Sequence, residues 1–116
     1  MPTVTLYHNP RCSKSRQTLQ LLEENGIHPE VRLYLQNTPS IEEIKTLLEQ
    51  LAIPPVELMR TKEAIYKELG LNSESSDEER IQAMHSHPSL IERPIVIHND
   101  HAKLGRPPEQ VLELFK

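Results

Sequence analysis

Cysteine occurs once in this chain, as Cys12, inside the run Tyr7-His8-Asn9-Pro10-Arg11-Cys12-Ser13-Lys14-Ser15-Arg16. A thiol is weakly reactive at its ordinary pKa of about 8.5 and becomes a nucleophile where its anion is stabilised. Asn9-Pro10 signals a turn just before the cysteine, and a helical pattern follows it. The sulfur therefore belongs at a helix start, where unpaired N–H groups and the positive end of the dipole gather. Arg11, Lys14 and Arg16 place cations on both sides of it. Free cysteine is often an inert buried residue, but such a residue rarely sits in a polar Pro/Arg/Ser/Lys loop, so the reactive reading is favoured. The same N–H groups and cations would suit an oxyanion.

Spacing removes two alternatives. A dithiol oxidoreductase needs Cys-x-x-Cys, and position 15 is Ser15. A phosphatase-type loop carries an arginine six residues after its cysteine, where this chain has Thr18. The chemistry expected is that of a monothiol.

Three distant arginines stand beside structural punctuation. Arg60 ends a short helical pattern, Arg93 precedes Pro94, and Arg106 precedes Pro107-Pro108. An arginine is most often a solvated surface charge, and for Arg60 that account carries most weight. A guanidinium fork also matches a tetrahedral oxyanion bidentately, which would give Arg93 and Arg106 a reason to converge on the cysteine loop. His8, four residues before the cysteine, could assist the thiolate as imidazolium or as a proton relay. It could equally be a strand-end histidine bonded to backbone. His85, His87, His98 and His101 lack metal-ligand spacing, and with no second cysteine a metal site is not expected.

The elements that must position these groups read as follows. Val4 to His8 forms a strand ended by Asn9-Pro10, and a helix runs from Ser13 to Asn25 with Gly26 at its C-terminus. A second strand is expected over Val31–Leu35, completing a right-handed parallel βαβ unit. Ser40 with Glu43, and Ser76 with Glu79, are capping boxes that open helices within a helical insert from about residue 40 to 87. A short helix after Pro54-Pro55 and another over Lys62 to Leu69 lie between them, and Pro88 closes the last. Ile95-Val96-Ile97, the Asn99-Asp100 turn and Lys103–Gly105 form a hairpin, and Pro107-Pro108 opens a final helix. This βαβ–helices–ββα order predicts a single α/β domain over residues 1–116, thioredoxin-like, with a four-stranded mixed sheet. In that fold a cis proline precedes the third strand, so Arg93–Pro94 is expected to be cis.

Thirteen basic against seventeen acidic residues give a formal charge of −4, which disfavours a nucleic-acid binder relying on bulk positive charge. No apolar run approaches the roughly 20 residues that would span a bilayer, so no membrane association is expected. The first residues lack the pattern of a signal peptide, and a cytoplasmic location is expected.

Taken together, Tyr7-His8-Asn9-Pro10-x-Cys12-x-x-Ser15-Arg16-x-Thr18-Leu19, Leu33-Tyr34-Leu35, Met59-Arg60, Arg93-Pro94-Ile95-Val96 and Gly105-Arg106-Pro107 resemble the arsenate reductases coupled to glutathione and glutaredoxin. The likeness covers nearly the whole chain, and the spaced motifs are far more specific jointly than the cysteine loop alone. It implies that Cys12 is the nucleophile, that Arg60, Arg93 and Arg106 bind arsenate or a similar oxyanion, and that His8 and Ser15 tune the thiolate. It further implies glutathione as co-substrate, glutaredoxin as partner and no bound cofactor. Ser13 departs from the glycine common after the cysteine in that family. Two other readings share the fold: a regulator like the Spx proteins that bind the RNA polymerase α subunit, usually with Cys-x-x-Cys, and a glutathione-dependent thiol reductase without arsenic chemistry.

Overall fold

The computed structural model describes residues 3–116, and its chain forms two compact units. One is built from both chain ends, through Asn37 and again from Arg93; the other is the Thr38–Glu92 segment between them.

The first unit holds β1 (Val4–Tyr7), α1 (Ser13–Glu24), β2 (Glu30–Arg32), β3 (Ile95–His98) and β4 (His101–Leu104). The sheet order is β2-β1-β3-β4: β2 lies parallel to β1, whereas β3 is antiparallel to both β1 and β4. This is the mixed thioredoxin-like sheet expected from the element order. Leu6 and Val96 are paired across β1 and β3, and both are fully buried with Leu22 of α1 and Val111. Burying side chains of this size contributes about 1.5–3 kcal/mol each. One apolar seam therefore fixes α1 on the sheet, and with it the start of α1.

Local chemistry explains the element ends. Asn25 caps α1 and Gly26 takes φ +76°, while the Ile27 N–H donates to the Leu22 carbonyl and the Gly26 N–H to the Glu23 carbonyl. That is the Schellman arrangement, in which glycine supplies the left-handed residue. Asn99 and Asp100 both have positive φ and join β3 to β4 as a two-residue hairpin turn. Pairing begins directly after that turn, so β4 covers 101–104 and Gly105 falls outside it.

Two expectations need correction. The second strand ends at Arg32, because the Leu33 carbonyl accepts from the Gln36 and Asn37 N–H groups and turns the chain. Tyr34 is buried there and stacks 6.2 Å from Tyr7. The final segment, Pro108–Phe115, is a 3₁₀ rather than an α-helix, entered by an i→i+3 bond from the Gln110 N–H to the Pro107 carbonyl. In that winding residues three apart eclipse, which stacks Val111 and Leu114 on the core side. Arg93–Pro94 is cis, as expected; Arg106–Pro107 is also cis, which the sequence reading did not foresee.

The second unit contains α2 (Ile41–Leu51), α3 (Pro55–Leu58), α4 (Ala64–Glu68) and α5 (Asp77–Ser86), followed by a 3₁₀ turn at Pro88–Leu90. Both expected capping boxes are formed: Ser40 and Ser76 accept from the N–H groups of Glu43 and Glu79, whose carboxylates bond back. Arg80 is buried among aromatic and backbone groups, donating to the Tyr66 hydroxyl at 2.8 Å and the Asn72 carbonyl at 2.7 Å. No described helix is long and apolar enough to cross a membrane.

Candidate active site

The loop after β1 is drawn tight by its own backbone. The Cys12 N–H donates to the Asn9 carbonyl, and the Asn9 side chain accepts from the Arg11 N–H, an Asx turn. The Arg16 guanidinium closes the loop on the Pro10 carbonyl at 2.8 Å. Cys12 is thereby fixed as the N-cap residue of α1, half-buried, with extended backbone. Its side chain makes no ordinary cap hydrogen bond, and the first turn of α1 contains no acidic residue.

That arrangement favours the sulfur as an anion. Burial pushes the thiol up, but the Ser15 N–H, the hydrogen-bonding side chain of Arg93, the Lys14 N–H and the Arg93 charge outweigh it. The net result lies below the ordinary thiol value. The expected helix-end contribution is therefore present, while the cation that counts is Arg93 from the far end of the chain. Lys14 acts through its backbone, and Arg16 is engaged with Pro10.

Arg106 joins the same cluster. Its Nε donates to the Arg93 carbonyl at 2.9 Å, and a terminal nitrogen lies 4.0 Å from the Cys12 sulfur. The two arginines thus meet one sulfur, although Arg106 and Cys12 are 94 positions apart. An anion placed beside that sulfur would find two guanidinium groups at hand.

His8 and Ser15 are buried beneath the loop. His8 Nδ1 lies 2.7 Å from Ser15 Oγ, which also accepts from the Asn9 N–H at 3.0 Å. Burial, and then the Arg16 charge, lower the His8 pKa. Neutral imidazole is therefore the favoured form, which disfavours the imidazolium role. The ring bonds the Ser15 side chain, whereas the rival account required a bond to the backbone. What His8 and Ser15 do geometrically is brace the loop that carries Cys12.

Arg60 belongs to the second unit. Its N–H donates to the Leu90 carbonyl at 2.7 Å, and its guanidinium pairs with Glu63 at 3.0 Å and Glu92 at 4.0 Å. Glu92 in turn donates its N–H to the Leu58 carbonyl, beside an isolated bridge between Met59 and Ile91. Arg60 is thus held by backbone and carboxylates, contrary to a free surface charge. Among the described residues no group of three or more His, Cys, Asp or Glu side chains is gathered for a metal ion.

Residues 7–114 match the ArsC family. The chain belongs to the ArsC family. It is 52% identical to an arsenate reductase of Haemophilus influenzae over 97% of this chain and 99% of that one. It is 56% identical to the uncharacterized protein YfgD of Escherichia coli K12, covering 96% of this chain and 95% of that one. A solved arsenate reductase from Vibrio cholerae superposes with a TM-score of 0.93 at 56% identity, covering 97% and 98% of the two chains. Membership in the ArsC family agrees with the mixed sheet and the cysteine loop described above. Thr18 and Gly105 are the residues to which sequence reasoning gave no task, although both lie inside the quoted motifs. Thr18 is fully buried and donates to the Lys14 carbonyl, and Gly105 is buried just before Arg106.

Proposed function

We propose that this protein reduces arsenate to arsenite, with Cys12 as nucleophile and Arg93 and Arg106 as the oxyanion-binding arginines. The observation that supports it most is the meeting of a lowered-pKa sulfur with both guanidinium groups, Arg106 at 4.0 Å. A thiolate and an arsenate anion repel; fixed cations offset that repulsion and need no reorganisation as charge develops. Arg60 enters this reading by family resemblance alone, as a third substrate arginine. His8 and Ser15 hold the loop and tune the thiolate.

The chemistry runs through a covalent adduct. The Cys12 sulfur bonds to arsenic, and one arsenate oxygen departs as water. A glutathione thiol then supplies the second sulfur that a monothiol chain lacks. Its sulfur bonds to the Cys12 sulfur as the sulfur–arsenic bond breaks, and that electron pair leaves with arsenic as arsenite. Arsenic is reduced by two electrons, and the two thiols become one mixed disulfide. A glutaredoxin thiolate attacks the glutathione sulfur of that disulfide and releases Cys12 as thiolate.

A coupled assay tests the whole reading. NADPH oxidation with glutathione, glutaredoxin and glutathione reductase should become dependent on arsenate when this protein is added. A folded protein that leaves the rate unchanged, in a mixture shown to turn over a known glutathione disulfide, overturns it.

A further inference from the structure

Three segments carry the reactive groups: Cys12 caps the start of α1, Pro94 follows Arg93, and Gly105 precedes Arg106. They come together at one point. The Gly105 N–H donates to the Pro94 carbonyl at 2.9 Å. A β-carbon on Gly105 would stand 2.6 Å from the Pro94 ring carbon Cγ, 3.3 Å from its Cδ, and 2.6 Å from Thr18 Oγ1. Neither neighbour yields readily. The proline ring is rigid, and the Thr18 hydroxyl, on a side chain stiff at χ1, donates at 2.9 Å to the Lys14 carbonyl one turn back in α1. Gly105 backbone is therefore seated directly on the first turns of α1 and on Pro94.

We infer that Gly105 and Thr18 are positioning residues for the reaction: their contact, closed against Pro94, sets where Arg93 and Arg106 stand relative to the Cys12 sulfur. Any side chain at 105 must push Arg106 away from α1, push Pro94 and its neighbour Arg93, or both. Both arginines act on one atom, so a small displacement at this point alters both. Misplacement of about 1 Å at a catalytic constellation can cost about 100-fold in rate.

Two readouts test this, one of which rests on the proposed arsenate chemistry and one of which does not. Gly105→Ala should raise the KM for arsenate about tenfold and lower kcat as well, since both the hold on the oxyanion and its alignment with the sulfur are lost. Independently, the pH midpoint of Cys12 alkylation by iodoacetamide should move up toward an ordinary thiol, because Arg93 is displaced. Gly70→Ala is the control: its β-carbon meets nothing within 4 Å but its φ is +77°, so it costs stability without touching the contact. If Gly70→Ala shifts KM and midpoint as far as Gly105→Ala, general loosening explains both and the inference falls. Should Gly105→Ala fail to fold, Thr18→Ala decides, since it removes one half of the contact without adding bulk. It should give a smaller shift of the same sign, and Thr18→Ser, which keeps the hydroxyl, should restore most of it. An alkylation midpoint unchanged in Thr18→Ala and in any folded Gly105→Ala overturns the inference. If the wild type reduces no arsenate, the proposed function fails while the alkylation comparison still decides this one.

Discussion

Helices α1 and α5 begin in opposite ways. At α5, Ser76 caps the helix, Glu79 returns the bond, and Asp77, Glu78 and Glu79 crowd the first turn with negative charge. Every favourable use of a helix N-terminus is taken up there by the chain itself. At α1 the cap residue is Cys12, the first turn has no acid, and the residues around it are basic. The N–H groups of Lys14 and Ser15 are left to act on a sulfur. The same unsatisfied donors thus stabilise a fold in one region and a reactive anion in the other, and the choice lies in the side chains of one turn.

Replacing the cap should expose that choice most sharply. Cys12→Ser is expected to abolish arsenate-dependent turnover, since a serine hydroxyl stays protonated and forms no redox-active sulfur adduct. Serine is a preferred N-cap, so the thermal midpoint should hold or rise. Activity in that variant, measured in the coupled assay, would mean that another group is the nucleophile.

A smaller loss is expected from Arg93→Lys and Arg106→Lys. Charge is kept but the bidentate fork is gone. A charged hydrogen bond contributes about 1.5–3 kcal/mol, so kcat/KM for arsenate should fall roughly ten- to a hundredfold. The wild-type sulfur ionises below an ordinary thiol, so its alkylation rate should stay high as pH falls past the ordinary thiol midpoint and drop only through the lowered one. Arg93→Lys should shift that midpoint upward. A rate profile centred near 8.5 in the wild type would contradict the contrast between the two helix ends.

Ser76→Ala should have the least effect, and only on stability. Loss of the cap costs about 1 kcal/mol, read as a lowered midpoint in urea, with turnover unchanged. Glu79 is held below the usual carboxylate value by the Ser76 backbone N–H, then by the Ser76 side chain. Its contribution is therefore complete above the unfolded pKa of about 4.3 and fades as pH falls through the lower folded value. Acid titration of stability should show that step in the wild type and a reduced one in Ser76→Ala.

The parts of this molecule that rest on neighbouring residues were legible in the sequence. Ser40 with Glu43, Ser76 with Glu79, Gly26 after α1 and Asn99-Asp100 between β3 and β4 all behave as their local chemistry requires. Leu33-Tyr34-Leu35 misled, because an apolar run marks burial and does not distinguish a strand from a turn that buries Tyr34. The winding of the last segment was equally hidden: Val111, Leu112, Leu114 and Phe115 satisfy either helix. The site was half legible. Cys12 announced itself by its loop, and Arg93 and Arg106 were candidates from their guanidinium forks and their place beside the last hairpin. The weight of Arg93 over the nearby cations, however, is a tertiary fact that no local pattern carries. The Gly105 contact carries no sequence signal beyond a glycine beside an arginine, since what makes it tight lies on α1 and at Pro94.

The pairing of β1 with β3 has a kinetic meaning. Val4 finds His98 and Tyr7 finds Ile95 only after nearly the whole chain has been made and looped back. Closing so long a loop costs little extra stability, about 0.6 kcal/mol per doubling of length, yet nonlocal pairing of this kind slows folding. Until it closes, Arg93 and Arg106 are remote from Cys12, and the sulfur lacks the share of its stabilisation that Arg93 supplies. The sulfur acquires its full reactivity only when the sheet is completed, so an unfinished chain carries a weaker nucleophile to be oxidised or captured on the way.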